Sequence, residues 1–419
     1  MELLNGLFDF IKKSPSAYQA VDTAAKILDG EGYTELSENK NFSLEDGGKY
    51  YVKKNGSSIV AFRYRKNANA FMICASHSDS PSFKVKGDLQ SGLYTKLDVE
   101  KYGGMIYYTW FDRPLSFAGR VCLKSDTGIE CRLVNIDKNV AVIPSVAIHM
   151  QRNVNDGCKF NPAVDLLPLA SIGDSGISEF IAKELCINAE DIISHDLFLY
   201  VRDEGKIIGE DYVLAPRLDD LACVYSSLKA FLSSEADKTI PVFAVFDNEE
   251  VGSATKQGAE SVFFSEILRE IAGDRYNKML PESFMVSADN AHASHPNHPE
   301  LTDKQNFATL GGGVVIKYNA NQRYTTDAYS DAIFRTIAEK AGVKVQSFSN
   351  RADMLGGSTL GSIASTRLPV PTVDIGLPQL AMHSVVEPMG VSDIFDMVKL
   401  LSKFYSTSLS KNGDSTEIN

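Results

Sequence analysis

The run Ile240-Pro241-Val242-Phe243-Ala244-Val245 leads directly into Phe246-Asp247-Asn248-Glu249-Glu250-Val251-Gly252-Ser253. Its first part is short, apolar and rich in β-branched and aromatic residues, and it ends in polar residues and glycine. That pattern predicts a strand buried on both faces of a covered sheet. Open α/β sheets place their ligands at the carboxyl ends of such strands. Adjacent side chains diverge, so Glu249 and Glu250 can do different jobs, one holding a metal and the other handling a proton. A solvated acidic loop is the competing reading. The rest of the chain decides between them.

At 419 residues the chain exceeds one ordinary domain, so two are expected. Hydrophobic residues at 44% and charged residues at 23% are globular values. The formal net charge of −12 argues against non-specific binding to nucleic acid or to anionic membranes. An acidic substrate would need a local cation. The six cysteines, Cys74, Cys122, Cys131, Cys158, Cys186 and Cys223, contain no Cys-x-x-Cys pair. Reduced, mostly buried thiols are therefore expected. From Met1-Glu2-Leu3-Leu4-Asn5 no signal peptide is expected, and no apolar run approaches the roughly 20 residues of a membrane span. A cytoplasmic protein is the expectation.

Taken in order, Leu3, Leu4, Leu7, Phe8 and Ile11 recur at helical spacing over 2–13. Ser14-Pro15 fits the cap and first position of a second helix running to Gly30. Asn55-Gly56 between Tyr50-Tyr51-Val52 and Ile59-Val60-Ala61-Phe62 is a hairpin signal. Ala70 to Ala75 predicts a buried strand delivering Ser76-His77-Ser78-Asp79-Ser80-Pro81. From Phe83 to about Val213 short strand candidates dominate, among them 83–86, 105–110 and a hairpin at Asp126-Thr127-Gly128. This predicts a β-rich barrel or sandwich inserted as its own unit. Helix and strand then alternate: helix 219–233, strand 240–246, helix 259–272, strand 284–288, helix 327–341, strands 343–348 and 370–375, and a last helix from 391 to about 406. The fold class is therefore α/β, a twisted mixed sheet with helices on both faces and an inserted β-rich domain. The tail after Ser408 is expected to fray.

Chemistry-bearing residues gather after the strands. His77-x-Asp79 suits a metal ligand with its supporting carboxylate, or a turn Asp beside an incidental His. Asp219 in Arg217-Leu218-Asp219-Asp220-Leu221 either caps a helix or bridges two cations with its two oxygens. Asp289, His292, His295 and His298 fall within ten positions, and spacing does not decide which of them bind. His383 follows Gly376-Leu377-Pro378 soon after a strand. Together they predict a dinuclear site of nitrogen and oxygen donors without thiolate. Two such cations activate a water and polarise a carbonyl, with an unliganded Glu as general base. There is no Gly-x-Ser-x-Gly elbow and no Walker loop, and Gly311-Gly312-Gly313 opens no helix, so phosphate binding is not expected.

These residues resemble the M18 metalloaminopeptidases, the aspartyl aminopeptidases and their bacterial relatives. The match runs in family order through Ser76 to Pro81, Ala147 to Asn153, Arg217 to Asp219, Phe246 to Ser253, Ser287 to Asn297, Val315 to Asn319, Gly356 to Thr359 and Ala381 to Ser384. The resemblance implies a di-zinc exopeptidase fold. It gives a catalytic domain of residues 1–82 and 213–419 and an inserted dimerisation domain of residues 83–212. It makes His77, Glu250, Asp289 and His383 terminal ligands of two zinc ions, with Asp219 bridging and the Asp219–Asp220 peptide cis. Glu249 becomes the general base and Asp79 the orienter of His77. His149 is read either as a substrate contact reaching a neighbouring subunit's site or as a zinc ligand. Lys317 corresponds to a residue that receives acidic substrate side chains, although its local sequence reads as a snorkelling surface lysine. The resemblance also implies two divalent cations per subunit, zinc ahead of cobalt or manganese, and a tetrahedral homo-dodecamer. Peptides are the substrates, with Asp or Glu preferred at the N-terminus, and neither nucleic acid nor membrane is a partner. A di-metal deacylase of N-acyl amino acids and a non-catalytic cargo or assembly protein of the same fold are the alternatives.

Overall fold

Every residue of the strand Thr239–Phe246 is buried, because its alternate side chains enter two different cores. Phe243 and Val245 join Met72, Cys74, Phe284 and Val286 in one. Val242, Ala244 and Phe246 join Phe71, Ile73, Ala75 and Met285 in the other. Burial on both faces is why these strands read as unbroken apolar runs. A computed structural model describes residues 1–172 and 176–419. The first core is closed by the helices Glu2–Lys13, Ala17–Gly30, Leu218–Ser233, Ala328–Ala341 and Val391–Tyr405. The second is closed by Phe263–Ala272 and Leu360–Arg367.

The sheet between them has nine strands. Their order is Thr34–Glu35, Lys49–Lys54, Ser58–Arg63, Thr239–Phe246, Ala70–His77, Phe284–Ala288, Thr372–Gly376, Val314–Tyr318 and Val345–Ser349. The four strands Thr239–Phe246, Ala70–His77, Phe284–Ala288 and Thr372–Gly376 are parallel, and antiparallel neighbours flank them. Four carboxyl ends therefore open onto one edge. The mixed sheet with helices on both faces is the architecture expected from the sequence.

Strands between Ser82 and Val201 form a separate six-stranded antiparallel sheet. Its own core contains Phe83, Trp110, Phe117 and Leu197, with Ile177 and Ile181 of the helix Ile177–Leu185. A third small sheet joins Lys206–Ile208, Tyr212–Ala215, Glu387–Gly390, Pro378–Gln379 and Ala291–His292. No helix among the described residues is long and apolar enough to cross a membrane.

Four local expectations are corrected. The second helix begins at Ala17 after Ser16, not at Pro15. Residues 105–110 are not a strand: Tyr107–Trp110 is a 3-10 turn, because Ile106 N donates across to His383 O at 3.0 Å rather than to a neighbouring strand. The tail does not fray. Leu409–Asn412 and Ser415–Ile418 pair as a hairpin, held by buried Leu409 and by Ile418 against the first core. Cys122 and Cys131 face each other in register across Leu115–Ser125 and Gly128–Asn135 and are joined as a disulfide. Of the four free cysteines only Cys74 and Cys223 are buried.

Candidate metal centre

The strand Ala70–His77 ends on His77 itself. Glu249 and Glu250 follow Thr239–Phe246, Asp289 follows Phe284–Ala288, and Thr372–Gly376 leads on to His383. Asp219 comes from the start of Leu218–Ser233, where the chain is not helical. Its φ and ψ are −83° and 109°, those of Asp220 are −116° and 19°, and the peptide between them is cis. No side chain caps this helix. The Asp219 carboxylate turns inward instead.

Its two oxygens face different imidazoles. Asp219 Oδ1 lies 3.5 Å from His77 Nε2, and Oδ2 lies 3.5 Å from His383 Nε2. His77 Nε2 is also 3.7 Å from Asp289 Oδ1 and 4.0 Å from Asp220 Oδ2. His383 Nε2 is 3.3 Å from Glu250 Oε1. Donor atoms of His77, Asp219, Asp220 and Asp289 all lie within 4.8 Å of one another, as do those of His77, Glu249 and Glu250 and those of Asp219, Glu250 and His383.

The supporting contacts fix these orientations. His77 Nδ1 bonds Asp79 O and His383 Nδ1 bonds Gly104 O, each at 3.0 Å. A carbonyl only accepts, so both Nδ1 atoms carry protons and both Nε2 atoms are turned to the carboxylates. Asp79 also accepts from Glu249 N and Glu250 N at 3.2 Å, which ties the acidic turn to His77. Tyr102 donates to Asp79 Oδ2 at 2.6 Å. Lys317 is buried, not snorkelling: Nζ donates to Asp289 O at 2.7 Å and lies 3.4 Å from Asp289 Oδ2.

Burial disfavours charge on Asp219, but His383 and His77 hold its carboxyl well below the usual range. Burial pushes Glu250 up to about 7 against the pull of His383. It also raises Glu249 well above an ordinary carboxyl, with Asp289 and Glu250 adding to the effect. Burial would lower His383, yet Asp219 and Glu250 raise it to about 12. Protons thus stand among the carboxylates where a cation's charge would otherwise be. Asp219 Oδ1 is buried without a hydrogen-bond partner. With imidazole and carboxylate donors and no thiolate in the clusters, the residues fit hard or borderline divalent cations of the zinc class.

His149 sits on an exposed turn and joins none of these clusters. His292, His295 and His298 are also exposed. The rings of His295 and His298 lie 5.3 Å apart, and His298 pairs with Glu300 at 3.1 Å. Sequence reasoning missed Asp220 and Glu387. Asp220 Oδ2 accepts from His77 N at 3.2 Å. Glu387 accepts from Asp219 N at 3.0 Å and from His383 N at 2.8 Å. A buried acid within Val385-Val386-Glu387-Pro388-Met389 is the signal that was available.

Residues 10–405 match the family described as aminopeptidase I zinc metalloprotease (M18). A probable M18 family aminopeptidase 2 of Clostridium novyi is 44% identical over 97% of this chain and 99% of its own. Its counterpart in Pseudomonas paraeruginosa is 38% identical, with the same coverage. Among solved structures, Ape4 in complex with Nbr1 superposes with a TM-score of 0.92 at 34% identity, over 96% of this chain and 85% of that one. The S. cerevisiae mApe1 dodecamer superposes at 0.84 and 26% identity, over 96% and 95%.

Proposed function

The chain belongs to the aminopeptidase I (M18) family of zinc metalloproteases, and from that premise we propose that it removes the N-terminal residue of peptides at a centre shared by two cations. The observation that carries this reading is the Asp219 carboxylate, with one oxygen toward each imidazole at 3.5 Å. His77 and Asp289 complete one half-site, and Glu250 and His383 the other. Two divalent cations, zinc foremost, would supply Lewis-acid activation of the attacking water and of the scissile carbonyl.

The chain's own residues do the rest. Glu249 is close to both His77 and Glu250, and burial raises its proton affinity. It takes the proton of the attacking water and passes it to the leaving amine, as the new C–O bond forms and the C–N bond breaks. Asp79 holds His77 and the backbone of the Glu249–Glu250 turn together. Glu249→Gln should lower kcat about 10²–10⁴-fold with metal content unchanged. Near-wild-type turnover would remove Glu249 from this role. An aminoacyl-anilide should be cleaved and its N-acetylated form spared, and the reverse result would make the protein a deacylase.

The finer features follow from the same reading. Residues 1–82 and 213–419 form the catalytic domain, and 83–212 the dimerisation domain. The dodecameric mApe1 supports self-association to twelve copies, and Val146, Ile148 and Met150, exposed around His149, offer an apolar contact surface. On this reading His149 serves a neighbouring subunit's site. Preference for Asp or Glu rests on Lys317. Its ammonium is engaged by Asp289 O and Asn290 O, so on this reading it acts as a fixed positive charge behind the site and not by direct contact. A panel of Asp-, Glu-, Leu- and Lys-anilides tests this, and equal rates across the panel would refute it.

A further inference from the structure

The inserted sheet does more than pack beside the catalytic sheet. Its strand Tyr94–Tyr102 leaves the inserted sheet at Tyr102-Gly103-Gly104, and these residues reach one half of the metal centre directly and the other through Asp79. Tyr102 Oη donates to Asp79 Oδ2 at 2.6 Å and accepts from Asn248 Nδ2 at 2.8 Å. Asp79 in turn holds His77 Nδ1 and the Glu249 and Glu250 amides. Gly103, at φ +75°, passes so close to Glu250 that a Cβ there would lie 3.2 Å from Glu250 Cβ. Gly104 O accepts from His383 Nδ1 at 3.0 Å. Just beyond, Ile106 N donates to His383 O at 3.0 Å, and Thr109 Oγ1 accepts from Val385 N at 3.1 Å. The Tyr102 ring is anchored inside the insert, edge-on to Phe198 at 5.3 Å.

We propose that the Tyr102–Gly104 strap of the insert is a positioning element of the metal centre: its phenol sets His77 and the Glu249–Glu250 turn through Asp79, and its Gly104 carbonyl sets His383. The insert thereby fixes ligands that the catalytic sheet supplies. This rests on the ligand assignments proposed above. Groups that orient a metal's ligands typically govern about 10–100-fold in affinity.

The test compares two phenol deletions from the same sheet. Tyr102→Phe keeps the ring on Phe198 and removes only the hydroxyl. Tyr200→Phe removes a hydroxyl that bonds Asn135 Oδ1 at 2.6 Å, away from Asp79. Zinc affinity is read by competition with a chromophoric chelator, and ligand geometry by the visible spectrum of the cobalt-loaded protein. Neither readout needs peptide turnover. Tyr102→Phe should weaken zinc binding about 10–100-fold and shift the cobalt bands, while Tyr200→Phe leaves both as in the wild type. Gly103→Ala, which crowds Glu250, should also weaken zinc binding, and it reads the same strap if Tyr102→Phe unfolds. Wild-type affinity and bands in Tyr102→Phe, or equal losses in the two phenol variants, would overturn the proposal. A wild-type protein that binds no zinc would overturn the ligand assignment as well. Tight zinc binding without peptide cleavage would sink only the proposed reaction.

Discussion

The two half-sites proposed above share Asp219 but are built differently. The His77 half stands on the ends of parallel strands deep in the molecule, and the His77 side chain is 1% exposed. The His383 half hangs on a loop steadied by Gly104 and Glu387, and its imidazole is 28% exposed. A site on strand ends inherits the rigidity of the sheet. A site on a loop depends on whatever braces the loop and keeps an approach from solvent. On the two-ion reading proposed above, the first half suits a firmly held ion and the second an ion that meets substrate.

The largest effect should come from the one residue both halves use. Asp219→Ala should remove both ions and lower turnover by more than about 10³-fold, beyond the loss of a single preorganised group. Metal analysis beside kcat checks this. A variant that kept one ion and measurable activity would mean the carboxylate is not shared. The next effect separates the halves. His383→Ala should lose one ion and most activity, with only a modest fall in melting temperature, because water can replace an imidazole that is 28% exposed. His77→Ala leaves Asp219, Asp220 and Asp289 buried without their imidazole. Stranding buried charges costs about 3–5 kcal/mol, so its melting temperature should fall clearly. Equal thermal losses would erase the distinction between the two halves.

Removing the metal gives a smaller effect with a definite sign. In the ion-free protein, burial raises Glu250 from 4.5 to about 7 and Glu387 from 4.5 to about 8. Despite burial, Asp219 and Glu250 raise His383 from 6.5 to about 12. All three bind more protons folded than unfolded between pH 5 and 8, so stability must fall as pH rises through that window. Asp219 shifts the other way, but its contribution varies only below its ordinary value of 3.8. The chelator-treated protein should therefore melt several degrees lower at pH 8 than at pH 5. Zinc should narrow that gap, because its ligands bind better deprotonated. A melting temperature that rose with pH in chelator would contradict these directions.

The central sheet was legible because burial on both faces forces continuous apolar runs, as in 70–75 and 240–246. The ends of those runs announced His77, Glu249, Glu250 and Asp289, which the structure brings to one edge. Less was legible where tertiary contacts decide. Residues 105–110 have strand-like letters, but Ile106 is drawn to His383 O. Lys317 at a strand end looks like a surface lysine until Asp289 and Asn290 come to surround its ammonium. The pairing of Cys122 with Cys131 depends on the hairpin register, which spacing alone does not reveal. Tyr102 carries no local mark at all, since its partner Asp79 lies across the boundary between two sheets.

The smallest effect concerns the histidines that sequence density made conspicuous. His295 and His298 stand beside Asp289 in the chain, yet both are exposed and join none of the acid and imidazole clusters. His295 Nδ1 accepts from Asn297 N at 3.2 Å, the two rings lie 5.3 Å apart, and His298 pairs with Glu300. A solvent-exposed His–Glu pair contributes little to stability. His295→Ala and His298→Ala should therefore leave metal content, kcat and melting temperature unchanged. Chain proximity to Asp289 is then no guide to ligation, because the backbone turns away after Asn290 while His383, some ninety residues on, closes the site. A loss of metal in either variant would place a ligand outside the strand-end edge and break the contrast between the two halves.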